Sequence, residues 1–420
     1  MKLSSILPRL FASAALFASI MSCSENLDSS GVCNVLCPPI GGNVNTVTIE
    51  GAVEVDTTVM SGSGLGTESG LFLANRGDTL DSRVIVRFDS LPQTFLPTGD
   101  TTQAIQTVDS AYLLLRVDTL TIKGPGPVTI EAYDVDTTAD DTANAAVLAL
   151  FRPDRFISSQ TFARADLSDS TKYFISNATV LSKIQNKQPL RIGLRATGAE
   201  SIQMIISSTE VGLPPTLFFR ATPDTATKPL TVTPFSKTPA DDPILAFNIR
   251  DYTVIAKAPP AAPPGTLVVG GFPSHRVYFR FVVPSAIVDS TTVVRATLIL
   301  NQISNGALDP TDTLNVLPQV SLAGIAVTDP TKAAQIIGNI AADTLRLRPG
   351  DAGTTNVELA HAFALWRSIP PDTLPRAIIL KPVIEGSPLE LRFSSSEDPV
   401  AGLRPQLRIS YTTKVPLGLP

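Results

Sequence analysis

Short hydrophobic stretches, rich in β-branched and aromatic residues and separated by turn-forming residues, recur along most of the chain. Because side chains alternate between the two faces of an extended strand, such stretches are typical of half-buried β-strands. Helical periodicity is scarce, so the pattern predicts an all-β protein with many loops. The clearest predicted strands cover residues 84–88, 111–115, 127–133, 191–194 and 217–219.

The order of these stretches in the first half of the chain returns in the second half. Residues 83–88 (Arg-Val-Ile-Val-Arg-Phe) match residues 276–281 (Arg-Val-Tyr-Phe-Arg-Phe). Repetition of ordered blocks indicates that one domain occurs twice. Four further blocks match in the same order: 110–115 with 295–300, 189–194 with 375–380, 205–210 with 392–397, and 215–220 with 405–410.

The repeat and the loop composition set the expected domain boundaries. We expect a first β-sandwich over residues 46–222, a linker over 223–240 that lacks strand alternation, and a second β-sandwich over 241–413. The Gly/Ser-rich residues 61–70 and the Pro-rich residues 258–265 occupy corresponding places in the two copies. We therefore expect both to be early loops inside a domain.

Each copy also contains one predicted helix, over residues 177–184 in the first and 357–366 in the second. In the second helix, Leu359, Phe363 and Trp366 recur at i, i+4 and i+7 and form one apolar stripe. Trp366 is therefore interpreted as a core residue, and each helix as a cap on one end of a sandwich.

The N-terminus has the pattern of a secretory signal. Lys2 and Arg9 precede the uncharged residues 10–22, which are too few to span a bilayer. The sequence Ile-Met-Ser-Cys ending at Cys23 resembles the lipobox of bacterial lipoproteins, which implies cleavage before Cys23 and its lipidation. An ordinary signal peptide with an incidental cysteine is the alternative.

The lipobox resemblance implies a cellular location, the cell envelope, and a partner, the membrane. We expect a signal peptide over residues 1–22, a flexible tether over residues 23–45, and attachment to the membrane through the N-terminal lipid in the bacterial cell envelope. Ser24 stands where an inner-membrane retention signal would often place Asp, which favours the outer membrane.

Composition narrows the classes of function. All three cysteines precede residue 38, so the folded body has no disulfide, and Cys33 and Cys37 form either a local disulfide or two free thiols. Because no third or fourth metal ligand lies near these two cysteines in the sequence, we expect no zinc site there. The net charge of −5 argues against a nucleic-acid partner, whose phosphates would demand a basic surface.

No residue pattern points to catalysis. The chain has two histidines, His275 and His361, and neither lies beside a recognisable nucleophile motif. Acidic pairs such as Asp134 and Asp136 lie in predicted loops and are interpreted as solvated turn residues, without the spacing of an EF-hand. We therefore expect no catalytic residue, metal or cofactor, and no enzyme activity.

Strand alternation suggests a face that binds a ligand. Two guanidinium groups beside an aliphatic or aromatic side chain can hold a carboxylated sugar by bidentate hydrogen bonds and stacking. The alternative is that these arginines pair with acids on neighbouring strands. The candidates that share such a face are Arg83, Arg87, Arg191 and Arg195 in the first copy and Arg276, Tyr278 and Arg280 in the second.

Several segments together resemble a DNRLRE-type domain. The resemblance covers residues 46–413 and implies tandem jelly-roll-like antiparallel β-sandwiches of bacterial surface proteins, whose relatives include carbohydrate-binding modules. The second copy lacks the Asp-Ser-Leu-Pro that follows Phe88. The segments that carry it are 71–75, 83–92, 108–116, 207–210 and 215–220, and in the second copy 276–281, 294–300, 357–366, 394–397 and 405–409.

Three hypotheses about function follow from these expectations. The first is a non-catalytic envelope lipoprotein whose tandem sandwiches bind polysaccharide or another extracellular ligand. The second is a structural or adhesive envelope protein, in which the sandwiches are spacers or contact surface proteins. The third is a glycan-processing enzyme, which would need two acids in one concave site.

Overall fold

The structure is a computed structural model that describes most of the chain between residues 44 and 413. The described residues are 44–60, 66, 68–98, 101–137, 144–198, 201–237, 249–271, 274–306, 308, 310–370, 373–385 and 389–413. The expected signal peptide and the three cysteines, Cys23, Cys33 and Cys37, lie outside them. No helix among the described residues is long and apolar enough to cross a membrane.

Antiparallel strands make up most of the described chain, and the helices are short. The strands in chain order are β1 (Asn45–Ile49), β2 (Val53–Met60), β3 (Gly70–Asn75), β4 (Asp81–Phe88), β5 (Thr94–Phe95), β6 (Gln103–Ala104), β7 (Ser110–Leu115), β8 (Val117–Lys123), β9 (Val128–Asp134), β10 (Phe156–Phe162), β11 (Thr171–Phe174), β12 (Leu190–Thr197), β13 (Ile202–Ser207), β14 (Thr216–Arg220), β15 (Leu230–Val232), β16 (Asp251–Lys257), β17 (Thr266–Gly270), β18 (His275–Phe281), β19 (Thr291–Ile303), β20 (Leu314–Ser321), β21 (Ile337–Ile340), β22 (Leu345–Leu347), β23 (Gly353–Glu358), β24 (Ala377–Pro382), β25 (Glu390–Ser394) and β26 (Gln406–Thr413). The α-helices are α1 (Asn144–Leu148), α2 (Asn177–Gln185), α3 (Ser285–Val288), α4 (Pro330–Ala333) and α5 (Ala360–Ser368).

The strands form two jelly-roll-like sandwiches, which confirms the predicted fold class. In the first, one sheet has the order β10-β9-β12-β4-β3-β13-β8, and the facing sheet has the order β11-β7-β14-β15. In the second, β1-β26-β19-β23 face β25, β17, β18, β24 and β20, and the 13-residue β19 runs from one layer to the other. Alternate residues of each strand point into the core, as the sequence pattern requires.

The two sandwiches exchange a pair of strands. Strands β1 and β2, from the beginning of the first repeat, pair with β26 and β18 of the second sandwich. Strand β16, from the beginning of the second repeat, pairs with β4 of the first sandwich, and β15, which precedes it, pairs with β14. The pairing therefore crosses the boundaries expected from the sequence repeat, and β15 lies within the expected linker over residues 223–240.

The exchange also changes the role of the two low-complexity stretches. Residues 61–70 lead from β2 in the second sandwich to β3 in the first, and residues 258–265 lead from β16 in the first to β17 in the second. They connect the sandwiches, contrary to the expectation that they are loops inside one domain. The sequence repeat cannot show this, because a strand pair has the same pattern whichever copy it completes.

Both predicted helices are present, with one change of boundary. Helix α2 matches the first prediction, and the Ser176 hydroxyl caps it by accepting a hydrogen bond from the Thr179 amide. In the second copy, residues 353–358 belong to β23 and helix α5 begins at Ala360. Trp366 is 5% exposed and contacts Phe281 and Phe363, which confirms that it is a core residue.

Candidate functional site

The predicted arginines of the first sandwich do lie on one face, in two cross-strand pairs. Arg87 is opposite Arg191, and Arg83 is opposite Arg195. Arg87 and Arg191 both bind the buried carboxylate of Asp89, with N···O distances of 3.0 and 2.9 Å. Burial by itself would raise the pKa of Asp89, because it favours the neutral carboxyl. The net shift is downward, because Arg191 and the Lys237 amide donate hydrogen bonds to the carboxylate and the charges of Arg87 and Arg191 stabilise it.

The same face is covered near Arg83. Its guanidinium donates to Asp81 at 2.7 Å and lies 4.6 Å from the ring centroid of Phe151, a cation–π arrangement. The Phe151 ring packs so closely against Gly193 that a Cβ there would lie 2.5 Å from it. The segment from α1 to Phe151 thus closes over this side of the sheet, where Ile85, Tyr133 and Val147 form a small additional core.

The second sandwich repeats this arrangement. Arg276 donates to Glu385 at 2.6 Å and to the Ala334 carbonyl at 2.7 Å, and Arg280 donates to Glu54 at 2.8 Å. Tyr278 is 3% exposed and packs on alanines of α4 and the residues beside it. The structure therefore places the candidate arginines largely in ion pairs with neighbouring acids, beneath or beside a short helix in each copy.

The acidic and histidine side chains also have structural partners. Asp134 and Asp136 bind Lys183 at 2.9 and 3.3 Å and are about one fifth exposed, so they are partly buried ion-pair partners rather than solvated turn residues. His275 lies 3.3 Å from the Gly270 carbonyl, and His361 is exposed on α5. Within the described ranges, no group of three or more His, Cys, Asp or Glu residues could hold a metal ion.

Two buried carboxyls of the first sandwich were not anticipated from the sequence. Burial raises the pKa of Glu68 to about 7 and that of Asp251 to about 6, and the charge of Asp251 adds to the shift at Glu68. Glu68 accepts a hydrogen bond from the Gly66 amide at 2.7 Å, and Asp251 accepts from the Thr209 amide and hydroxyl. These carboxyls lie where β16 enters the first sandwich.

A cleft of about 680 Å³ lies between the two sandwiches. Exposed apolar side chains such as Leu120 and Ile384 line it, together with polar groups. At its edge, Asp312 of the second sandwich accepts a hydrogen bond from Gln203 at 3.1 Å and pairs with Lys123 at 3.4 Å, both from the first. These contacts join the sandwiches across the cleft.

A row of three aromatic side chains crosses the outer face of the first sandwich. Phe174 of β11, Tyr112 of β7 and Phe218 of β14 lie directly opposite one another across the three strands. The ring centroids of Tyr112 and Phe218 are 5.3 Å apart, and those of Tyr112 and Phe174 are 5.9 Å apart. Phe174 is 53% exposed, and the ammonium of Lys172 lies 5.2 Å from the Tyr112 ring. We call Phe174, Tyr112 and Phe218 the aromatic row.

The corresponding positions of the second sandwich are polar. Thr297 is opposite Glu358 and Arg408 there, as Tyr112 is opposite Phe174 and Phe218. The Thr297 hydroxyl donates to Glu358 at 2.9 Å, and Arg295 donates to the same carboxylate at 2.6 Å. Hydrogen bonding to Arg295 lowers the pKa of Glu358 below its ordinary value. The fold is therefore stable with ordinary polar residues at these three positions.

Sequence reasoning passed over the aromatic row although the strands that hold it were predicted. The available signal is the presence of aromatic residues at outward positions of β7 and β14, where alternation calls for polar side chains. Their assembly into one row depends on the pairing of β7 with β11 and β14, which brings together residues 62 to 106 positions apart.

Comparison with known proteins adds little. No protein-family model and no curated protein matches the chain. Among solved structures, the infectious bursal disease virus Gt strain shares 10% identity and a TM-score of 0.16, over 87% of this chain and 78% of the other. The T13 particle of that virus shares 11% identity and a TM-score of 0.13, over 87% and 75%. Likenesses this low carry no argument about function.

Proposed function

We propose that this chain is a non-catalytic lipoprotein of the bacterial cell envelope, anchored through Cys23, and that its first sandwich binds glycan through the aromatic row. The observation that carries the proposal is the difference between the two copies. The positions occupied by Phe174, Tyr112 and Phe218 in one sandwich are occupied by the polar residues Glu358, Thr297 and Arg408 in the other. Since the fold does not need aromatic side chains there, their presence points to a contact with something outside the chain.

The geometry of the aromatic row suits a polysaccharide. The apolar C–H faces of sugar rings leave water when they pack against aromatic side chains, and the sugar hydroxyls remain solvated. Three side chains on adjacent strands extend over roughly 10 Å, since neighbouring strands lie about 4.8 Å apart, which favours a chain over a single sugar. The Lys172 ammonium beside Tyr112 adds a cationic partner for a carboxylated sugar.

A glycan array followed by affinity measurements tests this proposal. The mature chain is screened against neutral and acidic polysaccharides, and each positive glycan is measured against Tyr112→Thr and Phe218→Arg, which introduce the residues of the second sandwich. We expect each substitution to weaken binding at least tenfold. The matched control is Arg408→Ala, at the position equivalent to Phe218, which should leave affinity unchanged.

Two results would overturn the proposal. One is the absence of binding to any glycan on the array. The other is equal affinity of the wild-type chain and both aromatic variants, with unfolding midpoints that show the variants to be folded. Either result would favour the function of a spacer or adhesive protein, which the mutual strand exchange also supports because it ties the sandwiches to each other.

A further inference from the structure

We propose that the cleft between the two sandwiches binds an anionic amphiphile, a molecule with one alkyl chain and a carboxylate head, such as a fatty acid. This inference is independent of glycan binding by the aromatic row. It rests on the aliphatic side chains that both sandwiches expose to the cleft, and on Arg346, a cation on the same wall as some of them.

The walls of the cleft expose aliphatic side chains to water. Their exposed fractions range from 47% to 89%. Single exposed aliphatic residues are ordinary on a protein surface, but several that face one concave space between two domains are typical of a ligand site. The first sandwich contributes Leu120, Val211 and Leu213, and the second contributes Val383 and Ile384.

Leu120, the most exposed of these residues, is held in the cleft by a tight turn. Its amide donates to the Asp118 carboxylate at 3.0 Å, and the Thr121 hydroxyl donates to the Asp118 carbonyl at 2.7 Å. The same Asp-Thr-Leu sequence ends in a buried leucine at Leu80 and at Leu314. The turn at Leu120 therefore presents an apolar side chain before any ligand arrives, which lowers the entropy cost of binding.

The size and chemistry of the cleft favour an alkyl chain over a sugar. Its volume of about 680 Å³ lies within the range of roughly 300–1,000 Å³ that is usual for small-molecule sites. Phe72, the one aromatic residue among the described residues that line it, is buried. A sugar ring packs best on an exposed aromatic face, whereas aliphatic side chains on two walls can enclose an alkyl chain.

Most charged groups that line the cleft already have partners within the chain. Asp312 pairs with Lys123 at 3.4 Å, and Glu385 pairs with Arg276 at 2.6 Å. The Asp118 carboxylate accepts a backbone hydrogen bond within its own turn. Its negative charge repels an anionic head from the wall of the first sandwich, and therefore directs such a head to the wall of the second.

Arg346 is the cation that can receive this head. It is exposed and forms no ion pair with any described residue. It lies opposite Asn315 on β20, and the Asn315 carbonyl accepts a hydrogen bond from the Val383 amide at 2.8 Å. Because neighbouring strands are about 4.8 Å apart, Arg346 lies roughly 10 Å from Val383 along this wall. A carboxylate can thus bind the guanidinium while its alkyl chain packs on the aliphatic side chains.

Isothermal titration calorimetry with decanoate, below its micellar concentration, tests the proposal. The full mature chain carries Cys23→Ser, so that no lipid on this residue can fill the cleft. We expect saturable binding at one site per chain, weakened at least fivefold by Leu120→Ser and by Ile384→Ser. The matched control is Val400→Ser, because Val400 is similarly exposed on the second sandwich but does not line the cleft.

A parallel titration with decanol separates the head from the alkyl chain. Arg346→Gln should weaken the binding of decanoate at least fivefold and leave the binding of decanol unchanged, because only the carboxylate pairs with the guanidinium. Arg408→Gln removes the same charge from the outer face of β26 and should change neither affinity.

Several results would overturn the proposal. The absence of saturable decanoate binding, or equal affinity of the wild type and both aliphatic variants with unchanged unfolding midpoints, would show that the cleft is not the site. Equal weakening of decanol and decanoate by Arg346→Gln would contradict the anionic head. A dimer that light scattering detects and Leu120→Ser dissociates would show that a second copy of the chain fills the cleft.

Discussion

Asp56 binds Ser396 across 340 positions of the chain, with both of its carboxylate oxygens 2.6 Å from the serine amide and hydroxyl. Asp251 makes the same pair of contacts with Thr209 in the other sandwich. Asp56 belongs to the first repeat, and its partner Ser396 follows β25 of the second sandwich. Asp251 belongs to the second repeat, and its partner Thr209 follows β13 of the first sandwich. These two contacts therefore mark the places where the repeats interlock.

Removal of the Asp56 carboxylate should destabilise the second sandwich. Asp56→Ala leaves the Ser396 amide and hydroxyl without their partner, and the loss of a charged acceptor typically costs about 1–3 kcal/mol. Asp56→Asn retains an acceptor and should cost less. Urea unfolding monitored by Trp366 fluorescence measures the change, because this tryptophan lies in the core of the second sandwich. Equal stability of Asp56→Ala and the wild type would show that the contact contributes nothing.

Removal of β1–β2 should prevent the second sandwich from folding. A chain that begins at residue 61 lacks the partners of β18 and β26, so we expect loss of hydrogen-exchange protection in β17 and β18. A chain that begins at residue 44 keeps both strands and serves as the control, with the protection of the full chain. Normal protection in the shorter chain would mean that the second sandwich is complete without the exchanged strands.

The buried carboxyl of Glu68 should make stability depend on pH. Its pKa is raised by burial from 4.5 to about 7 in the folded chain. Below pH 4.5 the group is protonated in both states and its stabilising contribution is fully present. As pH rises from 4.5 to 7, the unfolded chain loses the proton first, and about 3 kcal/mol of stability is lost.

Glu68→Gln isolates this effect from other titrating groups. The glutamine amide cannot ionise, so the variant does not lose stability through this position as the pH rises. Relative to the wild type, the free energy of unfolding of the variant should therefore increase between pH 4.5 and 7, and the difference should stay constant above pH 7. Denaturant unfolding at several pH values measures it. A difference that does not change with pH would show that Glu68 ionises normally in the folded chain.

A methyl group at Gly193 should disturb the cover over the arginine face. Its Cβ would lie 2.5 Å from the Phe151 ring and 2.7 Å from Val135, so Gly193→Ala forces these side chains to move. Such overpacking typically costs about 1–3 kcal/mol. Gly402→Ala is the control, because no atom lies within 4 Å of the added Cβ. Thermal unfolding of both variants should show a lower midpoint for Gly193→Ala alone.

The local pattern of the sequence was sufficient to predict the elements. Alternating residues predicted β4, β7, β9, β12 and β14, and the apolar stripe of Leu359, Phe363 and Trp366 predicted the second helix within a few residues. Strands and helices can be predicted from nearby residues, because the side chains that face the core recur every second residue in a strand and every three to four residues in a helix. The repeat likewise predicted two similar sandwiches.

The partners of those elements were decided only by the tertiary structure. Arg83 and Arg191 were correctly placed on one face, and Asp81 lies on the same strand as its partner Arg83. Asp89, which pairs with Arg191, and the covering Phe151 come from other segments. The aromatic row depends on strand pairing between residues that are distant in sequence. The exchange of β1–β2 for β15–β16 likewise depends on the pairing of β2 with β18 and of β16 with β4. Residues 56–59 of β2 and 251–254 of β16 share the pattern Asp-x-Thr-Val, so this pattern by itself does not determine which sandwich each strand completes. The strand pairing of the tertiary structure decides it.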